Sequence, residues 1–165
     1  MAFLKSVIYV AVIGILAHYV GESLPRRLFC ETRFPFCSFP FERRGKLYKV
    51  IGIRHWKTRL PDMSRIMRDM LPKRIGPNAE SEQIDALIKE TCVAECIHHW
   101  LCIFSVGIYF FWKNYIGVIL IFVYVGCNVP FILIQRYNRP HLIILREKMI
   151  KRKEKRAHAY PDPVL

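Results

Sequence analysis

The sequence predicts an all-α integral membrane protein, and three observations carry that prediction. Hydrophobic residues make up 53% of the 165, yet the formal net charge is +13, so apolar and basic residues must occupy different stretches. Three apolar runs, over residues 2–20, 96–112 and 115–134, each approach the roughly 20 residues a helix needs to cross a bilayer. The basic residues cluster between the runs: of 26 Lys and Arg, 15 lie in residues 21–95 and 9 follow residue 135. The chain reads as one membrane domain over 1–165. It divides into a first span (1–21), an interfacial segment (22–78), a long helix holding the second span (79–113), a third span (115–138), a basic interfacial helix (139–157) and a tail (158–165).

The first run follows Lys5 as a signal peptide's would, but it is long, lacks a small-x-small cleavage site and closes on His18-Tyr19, so a retained anchor is expected. Basic residues collect on the cytoplasmic face. The middle segment and C-terminus are therefore expected inside the cell membrane, with the N-terminus and the Lys113-Asn114 turn outside. Topology and anionic lipid account for the charge, and no nucleic-acid-reading motif is present. The six cysteines have neither zinc nor disulfide-framework spacing, and free thiols are expected.

Residues 29–41, FCETRFPFCSFPF, hold too many phenylalanines to remain in water and too many prolines for a regular helix. They suit either a hydrophobic plug or a lipid-binding stretch at the headgroups. Residues 42–62 mix short β-like alternation with Lys46, Lys49, Arg54, Lys57 and Arg59 around Tyr48 and Trp56, a pattern suited to lipid phosphates or to a phosphorylated acyl donor. A short amphipathic helix is expected over 63–74, stopped by Pro72 and Gly76-Pro77-Asn78. Asn78 or Ser81 then caps a helix that meets no breaker before Gly107.

That helix enters the membrane through ETCVAECIHHW, residues 90–100. Thr91, Glu95, His98, His99 and Cys102 fall within one arc of roughly 100°, extended by Ser105. A polar stripe entering a bilayer faces protein or a wet cavity, since lipid offers it no partners; the alternative is a helix end at headgroup depth. The third span carries a second stripe, Tyr124, Asn128, Gln135 and Arg139, with Pro130 releasing the carbonyl of Gly126. Across the hairpin, Arg136, Asn138 and Arg139 are expected near Glu95 and His99, where the arginines suit a phosphate or carboxylate or simply anchor the span. From Pro140 a basic amphipathic helix is expected on the inner leaflet.

With these motifs placed, the chain resembles the glycosyl-4,4'-diaponeurosporenoate acyltransferase family of small bacterial membrane proteins. The resemblance rests on ETCVAECIHHW, on NVPFILIQRYNRPHL, and more weakly on FERRGKLYKVIGIRHWKTRLPD. It implies esterification of a sugar hydroxyl on a glycosylated carotenoid, in the pathway to staphyloxanthin. It also carries over Glu90, Glu95, His99, Trp100, Asn128, Gln135, Arg136, Tyr137, Asn138 and Arg139, with Trp56 and Lys57 from the weaker stretch; His98 departs from the family pattern.

Acyl transfer to an alcohol needs a base near neutrality and a grip on the activated carbonyl. The chemistry therefore assigns His99 as base, Glu95 one turn earlier as its orienting group, and Asn138 with Arg136 or Arg139 as binder of the donor or the oxyanion. His98 is the second catalytic candidate. Arg136, Arg139, Gln135, Asn128, Glu90, Trp56, Lys57, Trp100 and Tyr137 form the candidate substrate-binding set. The expected partners are membrane lipids, a lipid-like glycosylated acceptor and acyl-CoA or another activated donor as co-substrate, with no cofactor or nucleic acid; three spans are few for an enclosed cavity, which either self-association (a homo-oligomer) or a partner could complete. Two other classes stay open. One is a metal enzyme using Glu95, His98 and His99 with Glu90 or His18, although the spacing is not HExxH. The other is a non-catalytic lipid-binding subunit in which both stripes are interhelical glue.

Overall fold

The computed structural model describes residues 1–57 and 81–159. The helix expected over 63–74, the caps and stops at Pro72, Gly76 and Asn78, Arg59, and the tail from residue 160 lie outside these. Among the described residues all regular structure is helical, and three helices are long and apolar enough to span a membrane.

The first apolar run forms α1, Ala2–Ser23, whose Phe3, Leu4, Ile8, Ile15 and Leu16 point outward as a lipid-facing span requires. Pro25 forces the preceding Leu24 to extended geometry, φ −65° and ψ 126°, and the helix ends. Arg26 completes that end. Its Nη1 donates to the carbonyls of Gly21, Glu22 and Leu24, so a cation satisfies acceptors that the helix leaves open.

Residues 29–41 run through turns, with Phe29 buried beside Cys92 and Val93 of the next long helix and Phe36 packed on the same cluster. Where the sequence suggests β-like alternation, the chain forms helical turns: a 3-10 turn at Pro40–Gly45, then α2 (Lys46–Val50) and α3 (Ile53–Trp56). Gly45 and Gly52 provide the left-handed residues, φ 86° and 69°, that let such short pieces fold back. The turns close on the third span, where Tyr48 and Ile53 cluster with Tyr137. Five-residue strands would have left their hydrogen bonds unpaired, and tertiary burial decided the conformation.

The second span is α4, Ser81–Phe104, continued by a 3-10 turn at Ser105–Ile108 and by α5, Tyr109–Trp112. Tyr9 of α1 donates its hydroxyl to the carbonyl of Phe104 at 2.7 Å, and its ring fills the space at Gly107. Lys113 turns the chain at φ 47°, and Asn114 caps α6 by accepting the N–H groups of Ile116 and Gly117.

The third span and the basic helix are one element, α6, Tyr115–Ala159. The boundary expected near residue 139 is absent. Pro130 and Pro140 both lie inside the helix, each removing one backbone donor without breaking it. Beside Pro140 the neighbouring chain is tied down by side chains: Arg139 holds α4, and Arg146 pairs with Asp85 at 2.5 Å and Glu31 at 3.0 Å. The α4–α6 hairpin is the spine of the molecule, with α1 against α4 and the 29–57 segment lodged at its open end.

Candidate functional site

The two polar stripes face each other. Thr91 and Glu95 on α4 and Asn128, Gln135 and Arg139 on α6 are all buried. A carboxylate away from water needs a cation and hydrogen bonds, and Glu95 has both. Arg136 Nη1 meets its Oε1 at 2.5 Å and Arg139 Nη2 meets its Oε2 at 2.5 Å. Arg136 continues through Nε to Glu42 Oε1 at 2.6 Å, so two carboxylates neutralise two guanidiniums within one cluster.

Glu42 is the part of this cluster that the sequence reading missed. The signal was that it is the sole acidic residue between Glu31 and Asp62, in a stretch crowded with cations. It also accepts from the Tyr48 hydroxyl and, at 2.9 Å, from the Phe39 N–H. Burial works against its charge, but the bonds from Arg136, Tyr48 and Phe39 prevail and hold its carboxyl below the usual range. Burial, reinforced by the bond to Glu42, pushes the Tyr48 hydroxyl up to about 12.

The arginines also clamp the phenylalanine-rich turns. Arg136 donates to the carbonyls of Pro35 and Cys37, and Arg139 to those of Phe36 and Thr91 and to the Thr91 hydroxyl. Each guanidinium lies over a ring, Arg136 at 4.7 Å from Phe39 and Arg139 at 5.6 Å from Phe36. The arginines expected to bind a ligand's phosphate therefore direct their N–H groups to protein acceptors.

The other predicted residues separate into distinct contacts. His99 is exposed, and its Nδ1 donates to the backbone carbonyl of Glu95 at 2.8 Å; the Glu95 carboxylate belongs to the arginines. The expected side-chain pair between Glu95 and His99 is not made, because a permanently charged fork from α6 outcompetes an imidazole on the same helix. Since a carbonyl only accepts, the neutral His99 ring carries its proton on Nδ1 and its lone pair on Nε2. His98 meets Asn128 Oδ1 at 2.9 Å while Asn128 Nδ2 donates to the Tyr124 carbonyl, and Phe131 stacks on the imidazole. This is an interhelical hydrogen bond about 20 Å along α6 from its start.

Asn138 accepts from Lys57 Nζ at 3.2 Å on the side of α6 that meets α3, and Lys57 lies 4.7 Å over the Tyr137 ring. Trp56 packs on the Tyr48–Ile53–Tyr137 cluster and donates to the Ile51 carbonyl. Trp100 is exposed and stacks on Phe104, and Gln135 is buried in the hairpin. Glu90 pairs with Arg26 at 2.6 Å and ties α1 to α4. The carboxylates and imidazoles that a metal centre would require together thus point to different partners, and among the described residues no three metal-binding side chains converge. All six cysteines are free thiols.

Comparison with known proteins adds an independent line. Residues 25–148 match the family model described as glycosyl-4,4'-diaponeurosporenoate acyltransferase. Proteins of that name from Staphylococcus aureus are similar along most of their length. The protein from strain bovine RF122 / ET3-1 is 35% identical over 138 residues, covering 83% of this chain and 82% of its own. Those from strains MRSA252 and N315 are 34% and 33% identical over the same span. No solved structure matches the chain.

Proposed function

This chain belongs to the glycosyl-4,4'-diaponeurosporenoate acyltransferase family, and from that premise we propose how it transfers an acyl group. It is a membrane acyltransferase whose acceptor is a hydroxyl of a lipid-borne sugar, of the glycosylated carotenoid kind named for its relatives. His99 Nε2 removes the hydroxyl proton as the oxygen attacks the carbonyl of an activated donor such as an acyl thioester. The ester C–O bond forms, the C–S bond breaks, and the imidazolium returns the proton to the leaving thiolate.

The observation that carries this reading is the bond from His99 Nδ1 to the Glu95 carbonyl. It orients the ring and selects the tautomer with a basic Nε2 on an exposed face, where an acceptor diffusing in the bilayer can arrive. Glu95, Arg136, Arg139 and Glu42 serve as frame: they hold the α4 turn that carries His99 against α6 and the 29–42 segment. Asn138 and Lys57 form a polar pair at the α3 side of α6, suited to the donor. The distribution of basic residues supports a cytoplasmic placement for this end of the hairpin, where a soluble donor is available.

The test is ester formation in membranes supplied with glycosylated carotenoid and acyl donor, for His99→Ala beside His98→Ala. Loss of ester in the first, with normal membrane insertion, is expected. A normal ester yield from His99→Ala would remove the base assignment.

A further inference from the structure

Acyl transfer from His99 needs more than a base: an acceptor borne in the bilayer must also lay its apolar chain somewhere while its hydroxyl meets the imidazole. We propose that Trp100 and Phe104 are specificity-determining residues, whose stacked rings hold that chain and select a rigid, conjugated one over a flexible, saturated one. The proposal rests on the acyl-transfer reading for the position of the acceptor's hydroxyl.

The face is defined by what packs on α4. On one side α1 is seated through Gly21, where an added Cβ would lie 3.3 Å from the Ile97 side chain, and through Tyr9, whose hydroxyl donates to the Phe104 carbonyl at 2.7 Å. On the other side α6 is seated through Arg139, on Thr91 and Glu95, and through Asn128, at His98. At 100° per residue, His99, Ile103 and Trp100 fall between these contacts within an arc of about 100°, with Phe104 at the edge next to α1. His99 is exposed, and Trp100, Phe104 and Ile103 are 49%, 51% and 59% exposed. The base and the two rings therefore share an open face of α4.

Lipid contact accounts for apolar residues on that face, but not for the arrangement of the rings. Trp100 stacks on Phe104 with centroids 5.6 Å apart and planes inclined by 22°. An indole and a phenyl one turn apart thus present a nearly continuous flat strip that begins beside His99, and the Tyr9 bond fixes the backbone at its far end. The strip also runs the way the chain must go. From His99 to the Lys113 turn about 20 Å of helical chain remains within the bilayer, and a sugar held at His99 Nε2 directs its apolar chain along it, past Trp100 and then Phe104.

Flatness decides which chain. Dispersion attraction is small for each atom pair and accumulates only through contact along a whole surface. A conjugated chain makes that contact with few bonds left to freeze, whereas a saturated chain gives up its bond rotations to lie on the rings. The stiffer molecule displaces ordinary acyl lipid from the strip.

The test compares two acceptors with the same sugar, one on a conjugated polyene and one on a saturated chain of equal length. Purified full-length protein in nanodiscs is supplied with an acyl thioester donor. The parent is expected to prefer the polyene in kcat/KM, with the preference carried by KM. Trp100→Ala and Phe104→Ala should each reduce that preference at least tenfold, and Trp100→Phe, which keeps a flat ring, should retain most of it. Thermal unfolding checks that each variant folds. A parent without preference, or substitutions that weaken both acceptors equally, overturns the proposal, while ester formation by the parent leaves acyl transfer standing. Equilibrium binding of the two glycosides to His99→Ala gives a readout free of turnover: the preference for the polyene should persist there and be lost when Trp100→Ala is added. Should the parent esterify neither glycoside, the acyl-transfer reading falls, and this binding preference alone decides the strip.

Discussion

Arg139 reaches across the α4–α6 interface to Glu95, Nη2 to Oε2 at 2.5 Å, with both side chains almost wholly buried. Through this contact and the matching one from Arg136, the depth of the 29–42 segment and the position of the histidine-bearing turn become a single structural quantity.

Removal of Glu95 therefore acts first on stability. Glu95→Ala leaves two buried guanidiniums short of a counter-charge, and a loss of about 3–5 kcal/mol is expected, as for other broken buried pairs. Thermal unfolding in detergent measures it. An unfolding temperature equal to the parent's, with a changed pH profile of ester formation, would instead return Glu95 to the role of orienting His99.

Acid should loosen the same cluster through Glu42. Its carboxyl sits below its ordinary value of 4.5, so its contribution is complete above that pH and drains away as pH falls through the lower value it has in the fold. Glu42→Gln should remove this part of the acid limb and lower stability at neutral pH. Unfolding curves between pH 7 and the acid range, compared for parent and variant, check the sign; a parent that grows more stable on acidification would contradict it.

In the 3-10 turn of the second span, Gly107 packs against one ring, that of Tyr9. A Cβ at residue 107 would overlap the Tyr9 hydroxyl and lie 2.5 Å from its Cζ, so Gly107→Ala should destabilise by about 1–3 kcal/mol, the usual cost of overpacking. Tyr9→Ala in the same chain relieves the overlap, and the double-mutant cycle should show a coupling between the two positions. Additive effects would place the strain elsewhere.

Orientation is open to a direct measurement. A phosphatase reporter inserted at the Lys113-Asn114 turn is expected to be active outside the cell, and a fluorescent reporter after residue 165 to be bright inside it. The reverse pattern would move the proposed site to the outer face and away from a soluble thioester donor.

Much of this molecule is local information, and the sequence alone determined it. The three spans follow from apolar run length, the Lys113-Asn114 turn from its break in that pattern, and the two polar stripes from helical spacing. Each depends only on residues within a few turns of one another. Pairing is different. Adjacent turns of one helix suggested a Glu95–His99 couple, but a side-chain pair at that spacing on an isolated helix contributes only about 0.2–0.5 kcal/mol. The folded chain brings Arg136 and Arg139 to the same carboxylate, where a buried charge cannot go unmatched. The recruitment of Glu42 by Arg136 from 94 residues away was likewise decided only by tertiary structure. Burial makes the choice of counter-charge decisive, and burial exists only once distant segments have packed.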